Sequence, residues 1–194
     1  MGVSTSSSAL KPQSRASPIP NVIGLGGAIA GLAGGVAMAV VAALLSASMG
    51  QDIWHEPKRI AAIVYGPAAL AGSGFELGPV LVGTLLHLLV SALLGALFGI
   101  VTRRWLHLTS DFGTPVMAGL VYGLLIWMVA YFAVLPLVNP VLLEVYAPAF
   151  IIQHVVYGVV LGLVYMWLRR SRINPDRPYA LHGFSPFVWC FSSG

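Results

Sequence analysis

Apolar residues along this chain gather into four long runs, parted by short stretches where the polar residues collect. The runs cover about 22–48, 78–101, 115–137 and 147–168, and none contains Asp, Glu, Lys or Arg. Each exceeds the ~20 residues a helix needs to cross a bilayer. The first follows basic residues and closes on small ones, as a secretory signal does. Its apolar core is longer than the ~7–15 residues of such a signal, so it reads as a retained span. The pattern predicts an all-α membrane protein, a four-transmembrane-helix antiparallel bundle filling residues 22–170. No run is visibly broken.

Between the first two runs lies an insertion of another kind, residues 51–76, "QDIWHEPKRIAAIVYGPAALAGSGFE". Pro57 suits the first turn of a helix. Ile60, Ile63 and Val64 then share one face, with Lys58 and Arg59 nearer the other. Gly66-Pro67 ends the helix. The piece is too short to span. It reads as an amphipathic segment in the membrane interface with Trp54 and Tyr65 as anchors. A re-entrant piece buried against the bundle is the alternative. Glu56 and Glu144 read as solvated loop charges, His55 as interfacial, and His107 and His182 as exposed.

Residues 1–21 are rich in Ser and Pro and too poor in apolar groups to offset ordering entropy, so they read as a disordered tail. Their "MGVSTS" fits a myristoylation pattern, which a Ser-rich tail also produces by chance. Residues 171–194 read as a cytoplasmic tail. Its Phe184, Phe187, Trp189 and Phe191 suit either contact with the inner membrane surface or disorder.

Composition sharpens the membrane reading. Of the 194 residues, 58% are hydrophobic and 8% charged, against about 25% charged in soluble domains. The net charge of +4 does not point to nucleic acid, because the basic residues sit at the ends of apolar runs. Lys11, Arg15, Arg103, Arg104, Arg169, Arg170, Arg172 and Arg177 fall on one side, and only Lys58 and Arg59 on the other. The richer side is cytoplasmic by the positive-inside rule, which puts both termini inside. Cys190 stands alone, so no intrachain disulfide forms.

Small residues recur at steps of four. Gly27, Gly31 and Gly35 do so in the first span, Ser91, Gly95 and Gly99 in the second, Gly119 and Gly123 in the third, and Gly158 and Gly162 in the fourth. Such stripes let backbones approach in lipid, although glycine is also common in membrane helices generally. The spans match in pairs. "AGL" followed by Gly35 parallels "AGL" followed by Gly123, and "HLLVSALLG" from His87 parallels "HVVYGVVLG" from His154. An arginine pair closes each half. Two helix hairpins repeated in parallel, with the insertion in the first, account for the offsets.

The repeat puts His87 and His154 at matching depth on diagonal helices of the bundle, 16 residues before Arg103 and Arg170 respectively. At ~1.5 Å per residue, both lie in the outer third of the membrane. Ionisable residues within spans mark functional sites by default. Ser91, Gln153, Tyr157 and Tyr122 complete a candidate polar site with the two histidines. Haem b or a metal ion is implied only if His87 and His154 are ligands.

The glycine-rich first span, the "WHEPKRIAAIVYG" that follows, and the second span with its histidine and small residues resemble small uncharacterised bacterial inner-membrane proteins with four spans, of the kind named as domains of unknown function. The likeness covers about 22–170. It implies a bacterial inner membrane and carries no activity. No G-x-S-x-G, H-E-x-x-H or P-loop is present, which leaves no motif for an enzyme. Three roles stand: a structural or accessory component binding a membrane partner or a second copy of itself, a transport or proton-linked protein using the histidines, and a haem b electron carrier.

Overall fold

The computed structural model describes residues 24–106, 113–138, 143 and 145–173, with side chains up to Arg169. Among these residues every regular element is helical. The helices are α1 (Leu25–Ser48), α2 (His55–Tyr65), α3 (Leu77–Val101), α4 (Gly113–Val129), α5 (Leu135–Val138) and α6 (Ala147–Ile173). Four are long and apolar enough to cross a membrane: α1, α3 with its extension to Leu106, α4 running on through α5, and α6. Leu44, Leu85, Leu93 and Met117 are more than half exposed, an outer surface that suits lipid better than water. The expected N-terminal tail, residues 174–194, Glu144, His107, His182 and Cys190 lie outside the described residues. The boundary expected at 170 falls inside α6, which continues to Ile173.

α1 packs against α3 and α6, and α6 packs against α4. A Cβ added at Gly27 would meet Gly95 and Gly99, one at Gly31 would meet Ser91 and Gly95, and one at Gly35 would meet Ser91. The second pair of helices repeats this register. Gly119 stands against Gly158 and Gly162, and Gly123 against His154 and Gly158. In both pairs, residue numbers rise along one helix as they fall along the other. Ala30, Phe98, Tyr157, Leu161 and Tyr165 form the buried cluster where α1, α3 and α6 meet.

The fourth seam differs from that of a closed bundle. α3 and α4 do not pack backbone to backbone. They are bridged by side chains, with Tyr122 Oη donating to Leu94 O at 2.9 Å and the Phe98 and Tyr122 rings 5.3 Å apart. Helical periodicity states which face of a helix is apolar, and leaves open how far a neighbour stands from it. The third span is also less regular than its composition suggests. It widens into a π turn over Ala130–Val134 before α5. Pro136 lacks the N–H that would bond the carbonyl four residues back, which accounts for the irregularity.

α2 turns its faces the other way round from the amphipathic expectation. It packs on α3, and a Cβ at Gly83 would strike Pro57 O and approach Ala61 N at 3.2 Å. The buried face carries Lys58, Arg59, Ala61 and Ala62, while Ile63, Val64 and Tyr65 are exposed. The charged side is turned in and the apolar side out. Lys58 is 1% exposed because its ammonium donates to Glu76 Oε1 at 2.8 Å and to Gly72 O at 2.9 Å. Buried charge is tolerated where it is paired and hydrogen-bonded. Glu56 is likewise no free loop charge, since it pairs with Arg59 at 3.0 Å. Asp52 accepts from Trp54 N at 3.1 Å and Gly74 N at 2.8 Å, tying the two ends of the insertion together. Trp54 meets Phe75 edge-on, with ring centroids 5.0 Å apart.

Candidate functional site

α3 carries His87 and Ser91 on successive turns, and α6 carries His154 and Tyr157. His87 Nε2 donates to Gly35 O of α1 at 3.0 Å. His154 is buried, and its Nδ1 donates to Phe150 O, one turn earlier on its own helix, at 2.8 Å. The Phe150 ring stands edge-on to it with centroids 4.3 Å apart. These bonds assign opposite tautomers to the two rings. His87 keeps its lone pair on Nδ1 and His154 on Nε2.

The tyrosines spend their hydroxyls on backbone carbonyls of α3. Tyr157 Oη donates to Ser91 O at 2.9 Å, and Tyr165 Oη donates to Gly99 O at 3.2 Å. With the Tyr122 bond already described, three tyrosines reach α3 from α4 and α6. A carbonyl within a helix has a second lone pair free to accept such a bond. Thr102 donates to Phe98 O on its own helix at 2.8 Å and stands 3.1 Å from the Tyr165 hydroxyl.

His87, Ser91, Tyr122, His154 and Tyr157 line one cavity of about 460 Å³ in the unclosed seam between α3 and α4. Its remaining walls are apolar, and Ala130 and Val134 bring the π turn to its edge. Gln153 does not line it. That side chain turns instead towards a second cavity of about 260 Å³ beneath α2, where it joins Trp54, Glu56, Arg59 and Ile60. Met38 and His87 line both cavities. No group of three or more His, Cys, Asp or Glu residues able to hold a metal occurs among the described residues. The two histidines could supply at most two ligands between them.

Most of the chain, including every element just described, falls within one known family's model. The chain belongs to DUF6789, a family of unknown function. That family's model matches residues 22–175, which takes in all four long helices, the α2 insertion and both cavities. No curated protein and no solved structure matches the chain. Membership in DUF6789 brings no activity with it, so the chemistry must be argued from the side chains.

Sequence reasoning passed over Lys58, Glu56, Arg59 and Glu76 as chemistry-bearing residues. Their signal was present in composition: two bases and three acids crowd one short insertion of a chain with few charges. The indole N–H of Trp127 is also buried without a hydrogen-bond partner among the described residues, which its position in an apolar run gave no means to foresee.

Proposed function

We propose that the protein is a structural or accessory component of a bacterial inner membrane. In this reading it is an antiparallel four-span bundle with both termini in the cytoplasm, held by glycine packing, that associates with a second copy or another membrane protein. One observation carries the reading. The polar side chains at membrane depth are engaged by backbone carbonyls: His87 by Gly35 O, Tyr122 by Leu94 O and Tyr157 by Ser91 O. Side chains so engaged fasten helices, and in lipid each such bond is worth about 0.6 kcal/mol and at most about 1.7. α4 supports the association with a partner. Only Pro115, Gly119 and Gly123 are fully buried along it, and Met117, Val121, Leu125 and Val129 form an exposed apolar face open to lipid or protein.

The cavity shared by His87 and His154 favours a second reading, proton-linked transport, in which the two free ring nitrogens pass a proton. The same nitrogens would serve a haem b. Purification in mild detergent, followed by absorption and metal analysis and then proton flux in vesicles, separates the three. The accessory reading expects no Soret band, no stoichiometric metal and no flux above empty vesicles, with a particle heavier than one chain in its detergent. A Soret band lost in His154→Leu overturns it for haem. Flux lost in His87→Leu overturns it for transport.

A further inference from the structure

The cavity beneath α2 is built differently from the rest of the membrane region. Its walls are apolar, formed by Met38, Ala42, Ile60 and Phe150 among others, yet Glu56 and Arg59 stand in it as an ion pair. Arg59 is 9% exposed. A largely shielded ion pair, its side chains 11% and 19% exposed, repays little of its own desolvation, so this one is poorly explained by stability alone. Gln153, 4% exposed, faces the same cavity with no hydrogen-bond partner among the described residues. A carboxamide that opens onto the cavity beside the Glu56–Arg59 pair makes a polar recess suited to a polar group.

The recess has an apolar exit. Met38 and His87 line both this cavity and the groove between α3 and α4. Leu135 borders the first cavity, while Ala130 and Val134 border the second. The widened turn of α4 therefore flanks the junction. π turns of this kind often accompany functional sites. The groove, at about 460 Å³, falls within the ~300–1,000 Å³ of small-molecule sites.

We propose that the protein binds a phospholipid with a zwitterionic phosphoethanolamine head. The phosphate lies on the Arg59 guanidinium, the ammonium on the Glu56 carboxylate, and Gln153 bonds the head's oxygens. One acyl chain passes Met38 and His87 into the α3–α4 groove. The charge pair decides the head. An anionic lipid would meet Glu56 as well as Arg59, while a zwitterion satisfies both. Guanidinium has spare N–H donors in a planar fork suited to phosphate after one is given to Glu56. This site goes beyond the fastening role of the intramembrane polar groups and does not depend on it.

The test uses delipidated full-length protein in a mild maltoside detergent and three single-chain probes: lysophosphatidylethanolamine, lysophosphatidylglycerol and palmitate. Thermal unfolding is followed as each is titrated. Lysophosphatidylethanolamine should stabilise saturably and at lower concentration than the other two. Gln153→Leu should raise its half-saturating concentration about tenfold, the loss of one bond to a charged group. Glu56→Gln should reverse the preference towards lysophosphatidylglycerol, because Arg59 is then uncompensated. A misfolded variant cannot produce such a reversal. Equal stabilisation by all three probes, none by lysophosphatidylethanolamine, or an unchanged preference in Glu56→Gln overturns the proposal. Should Glu56→Gln fail to fold, Gln153→Leu decides alone, and unaltered affinity there overturns it.

Discussion

Gly26 and Gly27 are neighbours in α1 and should respond to alanine in opposite ways. A Cβ at Gly26 meets nothing within 4 Å, whereas one at Gly27 strikes Gly95 O and stands 3.0 Å from Gly99 Cα and from Gly99 N. Those obstacles are backbone, so no side-chain rotation relieves them. Carbon atoms rest at about 3.5–4.0 Å, so α1 and α3 must part by roughly half an ångström or more. Both substitutions gain about 0.5–1 kcal/mol from helix propensity. Overpacking costs Gly27→Ala about 1–3 kcal/mol, and separation of α1 from α3 strains the contacts at Gly31 and Ser91 as well. The expected outcome is a Gly26→Ala variant as stable as the parent or slightly more so, and a Gly27→Ala variant less stable than Gly26→Ala by about 1–3 kcal/mol. Unfolding in mixed micelles with rising dodecyl sulfate, followed by circular dichroism, measures the difference. Equal stability of the two variants would refute close approach of α1 and α3.

Three further expectations follow from the charged insertion, the cavity and the topology. Glu76→Ala should destabilise α2 more than Lys58→Met, because the first leaves an ammonium buried at 1% exposure and the second leaves a carboxylate 39% exposed. Breaking a buried pair costs about 3–5 kcal/mol and an exposed one about 0–1, and hydrogen exchange over residues 55–76 reads the order. Cysteines at positions 87 and 154, in a chain with Cys190→Ser, should join through a short crosslinker because both positions line one cavity; failure with rapid labelling from the lipid phase would separate them. Reporter fusions after Arg15, Arg104 and Arg172 should report cytoplasm and fusions near Glu76 and Glu144 the opposite side. A cytoplasmic signal at Glu76 would undo the four-span topology.

The four long helices were legible because a run without charges, longer than a bilayer is thick, has few other uses. The run expected at 78–101 appears as a helix from Leu77, and the run at 147–168 as one from Ala147. The orientation of α2 was not legible. Reading it from periodicity assumes that charge faces outward, and that assumption fails where Ala61 and Ala62 allow close packing on Gly83. Lys58 finds its partners 14 and 18 residues away, a spacing no helical period displays. The unclosed α3–α4 seam was hidden for a related reason. The small residues of those two helices face α1 and α6, and nothing in either span's own pattern states that the two stand apart. Of the site residues, Gln153 shares a cavity with His87 but not with its neighbour His154. Adjacent residues on a helix point about 100° apart, and the two side chains open onto different cavities.

Tyr157→Phe tests the fastening account most directly. It removes one hydroxyl from a side chain 2% exposed, changes no charge, and breaks only the bond from α6 to Ser91 O of α3. The equilibrium unfolding free energy of this variant in mixed micelles should fall by about 0.6–1.7 kcal/mol, with the same helical content before unfolding. A variant as stable as the parent, or more stable, would contradict the claim that these polar side chains hold the helices together.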